Sequence, residues 1–209
     1  MKIMLDCSPA KIAEYSKRYD YEFWQLRTPL TTYRLAGVPY GLDNGCFSGF
    51  QEQNWNRLIR EAEDDRPLFI TVPDVVGSMV RTLDLFHIFK RKLNGMAKCL
   101  VLQDGVGNTQ LPWDDLSGVF IGGSDQFKIS KECMQACQVA GLLKKHIHLG
   151  RVNSAQRIQD YLHAAGEYGF QIDSIDGSGM SRFDQRLENV LAAIRNDDCQ
   201  HKLFAGEQK

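Results

Sequence analysis

No apolar run in the 209-residue chain approaches the roughly 20 residues that a membrane-spanning helix needs. The N-terminal "MKIMLDCSPAK" meets an acid at Asp6, so no secretory signal is expected there. Six cysteines are present but no C-x-x-C pair, and they are expected to be reduced thiols of a cytoplasmic protein. Cys133 and Cys137 stand four apart with no histidine near them in sequence, which suits two small core residues better than a metal site. A basic excess is missing as well: 25 Lys and Arg face 26 Asp and Glu, for a net charge of −1. That balance argues against a broad DNA-wrapping surface, and leaves "KRK" (90–92), "KK" (144–145), Arg151, Arg157, Arg182 and Arg186 as solvated helix faces or as a local basic track. The P-loop, the G-x-G-x-x-G fingerprint and the G-x-S-x-G elbow are all absent, and no nucleophilic triad can be assembled.

What is present is the composition of one ordinary globular domain, 43% hydrophobic and 24% charged, spanning 1–209 with a flexible tail expected over about 198–209. Short apolar runs alternate with helical periodicities. "KIML" (2–5), "EFWQL" (22–26), "VPYGL" (38–42), "PLFITV" (67–72), "KCLVLQ" (98–103), "GVFIGG" (118–123), "HIHLG" (146–150) and "FQIDSI" (170–175) read as strands. Ser8-Pro9, Ser130 and Ser154 read as helix starts. Alternating βα units imply a parallel sheet, and eight of them suggest an α/β fold of the compact (β/α)8 barrel type. No helix is evident between the second and third runs, so a doubly wound open sheet is the alternative.

Parallel α/β folds gather their chemistry at the carboxyl ends of strands. Here those ends carry Asp6, Asp43-Asn44, Asp74, Gln103-Asp104, Gly122-Gly123-Ser124, His148 through Arg151, and Asp173 through Asp176. Acids at such turns also cap helices, and "DNG" alone is commonly a tight turn. Several carboxylates on one rim are different, because crowded like charges cost energy unless something uses them. His146 and His148 alternate on one side of their strand, as metal ligands or as hydrogen-bonded core histidines. What remains is carboxylate chemistry, one acid attacking carbon while a second moves a proton.

The rim segments resemble a known family. "LDNGCF" (42–47), "GVFIGG" (118–123), "HLGRV" (148–152) and "QIDSIDGSGMSR" (171–182) are similar, in order, to the active-site segments of tRNA-guanine transglycosylases. "SPAKI", "DNGCFSGF", "VPDVVG", "QDG", "FIGGS", "GRVN" and "DGSG" extend the resemblance to that family's short relatives, the phage and bacterial DNA 7-deazaguanine transglycosylases. The resemblance implies that guanine in DNA is exchanged for a 7-deazaguanine derivative, such as preQ0, through a covalent aspartyl-sugar intermediate. The free 7-deazapurine base would be the co-substrate, with no cofactor or metal. Asp173 would be the nucleophile and Asp43 the general acid or base. Asp74 would read the purine's N1 and exocyclic amine, Gln103 and the Gly122 and Gly123 amides its O6 edge, and Phe47 and Leu149 its faces. Asn44 stands where the tRNA enzymes have serine. Gly177 and Gly179 would let the backbone approach a phosphate, with Arg151 and Arg182 as further sugar or phosphate contacts.

Two departures qualify the resemblance. The zinc-binding insert of the tRNA enzymes is missing, which favours DNA over tRNA as substrate. "DGSG" replaces the family's "PTR", so Asp176 has no counterpart and stands as a second proton carrier, a sugar contact or a turn acid. A DNA glycosylase that hydrolyses the same ester is the nearest alternative. A small-molecule barrel enzyme is the next, although no lysine falls within a strand-end motif.

Overall fold

Serine side chains start the helices where the sequence places them. Ser8 accepts from the Lys11 amide ahead of α1 (Pro9–Tyr19), with Pro9 in the first turn where its missing N–H costs nothing. Ser130 does the same for α5 (Lys131–Leu142) and Ser154 for α6 (Ala155–Tyr168), which ends on Gly169 at φ 70°, the left-handed stop that glycine adopts freely. The computed structural model describes residues 1–206, with side chains described through 197. The expected tail at 198–209 falls outside the described residues except for the backbone of α8 (Asp184–Gly206).

Eight parallel strands close into a barrel in chain order. They are β1 (Lys2–Leu5), β2 (Trp24–Arg27), β3 (Tyr40–Leu42), β4 (Phe69–Thr71), β5 (Lys98–Leu102), β6 (Gly118–Ile121), β7 (His146–Leu149) and β8 (Ser174–Asp176). The open-sheet alternative is thereby excluded, since β8 pairs with β1. The remaining α-helices are α2 (Glu52–Asp64), α3 (Met79–Phe89), α4 (Asp125–Lys128) and α7 (Ser178–Arg182). Residues 28–39, between β2 and β3, form no helix, as their sequence suggests. No helix among the described residues is long and apolar enough to cross a membrane.

Period-two alternation sorts the strand side chains into two layers. Ile3, Leu5, Ile70, Val119, Ile121, Ile147, Leu149 and Ile175 face the helices and join one large core with Trp55, Leu58 and Phe86. Burying each such side chain contributes about 1.5–3 kcal/mol. Met4, Leu26, Phe69, Cys99, Val101 and Phe120 fill the lumen. Gly41 makes room for the Phe69 ring, which would lie 2.4 Å from a Cβ there.

One strand differs from its expected position, and the difference moves a catalytic assignment. The expected 170–175 strand forms at Ser174–Asp176 instead. Phe170 and Ile172 keep period two, but Ile175 breaks the phase, and it is Ile175 that packs outward with β8. The ladder begins with Lys2 opposite Ser174 and ends with Met4 opposite Asp176. Asp173 therefore precedes the strand, at the amino end of the barrel.

Candidate active site

Asp43, Asp74 and Asp176 meet at the carboxyl end of the barrel. All three line a small cavity of about 70 Å³ whose wall also includes Phe120, Gly123 and Lys128. It adjoins a wider cleft of about 660 Å³ bordered by Asp6, Ser178, Arg157 and Arg182. Asp43, Phe47, Arg151 and Asp176 belong to both, so they stand at the junction.

Asp43 follows β3 directly, and its amide donates to the Arg27 carbonyl at 2.8 Å, which extends the ladder by one bond and fixes its direction. Burial pushes its carboxyl up to about 7, with the Asp176 and Asp74 charges adding to the shift and the Asn44 and Gly45 amides opposing it. A carboxyl so placed gives and takes a proton near neutral pH.

Asp74 is clamped by two buried amides. Asn44 Nδ2 donates to Oδ1 at 2.8 Å and Gln103 Nε2 donates to Oδ2 at 2.6 Å. The other ends of these side chains are engaged too, Asn44 Oδ1 by the Cys46 amide and Gln103 Oε1 by the Gly77 amide. Burial raises the Asp74 carboxyl, while hydrogen bonds from Asn44, Cys46 and Gln103 hold it back. Asn44 and Gln103, expected to touch a purine, hold Asp74 in place instead.

Asp176 ends β8. Its Oδ1 accepts from the Arg151 amide at 3.1 Å and from His148 Nε2 at 3.0 Å, while Oδ2 takes no hydrogen bond from the described residues. Arg151 reaches that position at φ 60°, in the left-handed region that costs a non-glycine residue about 1–2 kcal/mol. Its guanidinium donates to the Gly123 carbonyl at 3.1 Å and lies 4.2 Å from the centre of the Phe47 ring. Phe47 is 67% exposed at the cavity mouth.

Several expected contacts take other roles. Asp173 lies at the opposite end of the barrel from Asp43; its Oδ2 accepts the Ile147 amide at 2.8 Å and its own amide donates to the Ile147 carbonyl at 2.9 Å. Three residues of strand separate it from Asp176, about 10 Å, so the expected pairing of Asp43 with Asp173 does not form. Leu149 is fully buried against the helices, because it points outward from β7; Val101 and Phe120 supply the apolar cavity wall. Gly122 gives its amide to the Leu102 carbonyl at 3.1 Å, so that donor is used within the sheet. The Gly179 amide donates to Asn153 Oδ1 at 2.9 Å, and a Cβ on Gly177 would lie 2.0 Å from the Val152 carbonyl oxygen. The "GSG" turn thus serves close packing against the segment after β7. Asp104 accepts both the amide and the hydroxyl of Ser124, fastening the turn ahead of α4.

Two more residues border the site, Lys128, which the sequence reading passed over, and His148, which it weighed as a metal ligand or a core histidine. Lys128, only 1% exposed, closes the one-turn helix α4 and donates to the Gly150 carbonyl at 2.6 Å. Burial pulls its amine down to about 8, with Arg151 adding to the shift and Asp176 opposing it. Its signal was available in the Ser124 cap, whose hydroxyl accepts the Phe127 amide and starts the turn that carries "DQFK". His148, fully buried, faces Asp176 from the lumen. No group of His, Cys, Asp or Glu among the described residues is arranged to hold a metal ion.

No protein-family model and no curated protein matches this chain.

Proposed function

We propose that the protein exchanges a purine base on a deoxynucleoside of DNA through a covalent sugar ester on Asp176, with a 7-deazaguanine-type base as the incoming partner. The observation that carries this reading is the set of three carboxylates with unlike surroundings in one cavity. Asp176 has one oxygen held and the other open, Asp43 is poised near neutrality, and Asp74 is locked by two amides.

Asp176 Oδ2 attacks C1′ as the C1′–N9 bond breaks, and the bonding pair leaves with the purine. Asp43 gives its proton to that leaving base. The free 7-deazapurine then takes the vacated place, Asp43 removes its N9 proton, and N9 attacks C1′ to expel the Asp176 carboxylate. The enzyme returns to its starting protonation state. Asp74 accepts from N1–H and the 2-amino group together, an arrangement that adenine, with an acceptor at N1 and no 2-amino group, does not satisfy. Arg151, Arg157 and Arg182 along the cleft suit a phosphate backbone, and the target base reaches the cavity flipped out or from a single strand. This reading replaces Asp173 with Asp176 as nucleophile.

The test is nucleoside mass analysis of DNA from cells expressing the protein and supplied with precursor base. Deoxy-7-deazaguanosine derivatives are expected with the wild type and with Asp173→Asn, and none with Asp176→Asn. Modification that survives Asp176→Asn overturns the assignment, and abasic sites in place of exchanged bases indicate the hydrolytic variant.

A second reading rests on Lys128. A buried amine pulled down to about 8 beside a carboxylate is equipped to form an imine with a small carbonyl substrate. Borohydride trapping of substrate on Lys128 would favour it.

A further inference from the structure

Polar side chains inside the barrel continue below Asp176. Strands β7 and β8 pair with His148 opposite Ser174, and their inward residues interleave along the lumen. His146 Nε2 lies 2.8 Å from Ser174 Oγ, Ser174 Oγ lies 2.7 Å from His148 Nδ1, and His148 Nε2 lies 3.0 Å from Asp176 Oδ1. The surroundings are apolar. The Phe69 ring sits 5.3 Å from the His146 ring and 5.0 Å from that of His148, and Phe120 sits 4.5 Å from His148. Two imidazoles and a hydroxyl in such a place cost energy unless each finds its partner. Apolar residues would fill this lumen at less cost.

We infer that His146, Ser174 and His148 form a one-directional hydrogen-bond column that sets the tautomer of His148 and through it the reactive orientation of Asp176. The inference rests on the proposed role of Asp176. Hydroxyl and imidazole chemistry leave one consistent order while the carboxylate is ionised. His148 must carry its proton on Nε2 to donate to Asp176, so its Nδ1 is an acceptor. Ser174 has a single proton and spends it on that Nδ1. The serine oxygen then accepts from His146 Nε2–H. Burial keeps the His146 imidazole neutral, lowering its pKa to about 4, so its Nδ1 is bare. That Nδ1 is 3.9 Å from Asp173 Oδ2, beyond hydrogen-bond reach, and Asp173 Oδ2 is engaged by the Ile147 amide. All three protons therefore point towards the mouth.

The functional consequence is at Oδ1. With His148 Nε2–H and the Arg151 amide on that oxygen, Oδ2 alone faces outward to attack C1′. In the ester, Oδ1 becomes the carbonyl oxygen, and the same two donors stabilise the charge it regains when Asp176 leaves. His148 and Ser174 are positioning residues, because they act through Asp176. With its hydroxyl removed, His148 is free to place its proton on Nδ1 and turn a lone pair towards the carboxylate.

Long-range proton–nitrogen correlation spectra of the full chain labelled with 15N-histidine test this independently of turnover. Both His146 and His148 are expected as Nε2–H tautomers in the wild type. Ser174→Ala is expected to convert His148 to a mixture, to lower kcat at least about tenfold, and to leave KM for DNA within about twofold. Ser174→Thr, which keeps the hydroxyl, is expected to restore both readouts. An Nδ1–H tautomer of His148 in the wild type overturns the column. An unchanged tautomer in Ser174→Ala overturns it too, whatever happens to kcat. If the wild type exchanges no base, the glycosyl reading fails while the spectra still decide the column.

Discussion

The raised carboxyl of Asp43 makes a prediction about stability that needs no substrate. In the unfolded chain Asp43 titrates at the ordinary value of 3.8, and in the folded protein at about 7, chiefly through burial. The folded state thus holds a proton that the unfolded state has lost, and stability falls as pH rises between those two values. The penalty is absent below 3.8 and complete above about 7. Three units at about 1.4 kcal/mol each make its full size about 4 kcal/mol. Between pH 5 and 8.5 the part that develops is about 2–3 kcal/mol. Asp43→Asn removes the titrating group and leaves a polar side chain of similar size. Urea unfolding of both proteins at the two pH values is the assay. The stability of Asp43→Asn relative to wild type is expected to increase by about 2–3 kcal/mol between pH 5 and 8.5. A difference that stays flat within about 0.5 kcal/mol, or that shrinks with pH, refutes the burial of this carboxyl and with it the proton role proposed for Asp43. Since Asp176 is the next contributor after burial, Asp176→Asn is expected to move the Asp43 titration downwards, readable by 13C-carboxyl NMR.

Three further outcomes test the packing and the clamp. Gln103→Ala removes a 2.6 Å donor from a carboxylate and is expected to cost about 1.5–3 kcal/mol in kcat/KM for the guanine-type base, measured by competition between purines. Gly150→Ala would place a Cβ 2.2 Å from Phe120 and 3.3 Å from Asp176 Oδ1, so about 1–3 kcal/mol of stability and most of the turnover are expected to be lost; native melting and activity would show the close approach to be dispensable. Gly166→Ala, within α6 where a Cβ meets nothing within 4 Å, is expected to raise stability by about 0.5–1 kcal/mol in the same melts.

Local signals and long-range packing divided the information in this chain. The serine caps, the β-branched and aromatic runs and their alternation with helical periodicities are properties of neighbouring residues. They were enough to indicate eight parallel strands, a closed barrel and a rim carrying Asp6, Asp43, Asp74 and Asp104. The phase break at Ile175 was also in the sequence, yet the alternation of Phe170 and Ile172 just before it hid it. Which acid of "DSID" faces the mouth was decided by the register of β8 on β1 and β7, where one residue of slip reverses inside and outside. Asn44 and Gln103 look alike as ligands or as clamps until the fold brings them to Asp74 across 30 and 29 residues of chain. Lys128 and the His146–Ser174–His148 column depend on the same closure, because a side chain's burial and its hydrogen-bond partner belong to the surface that distant segments build around it. The sequence by itself determined the elements and their order. Tertiary structure alone decided which polar groups meet at one point and which are spent holding others there.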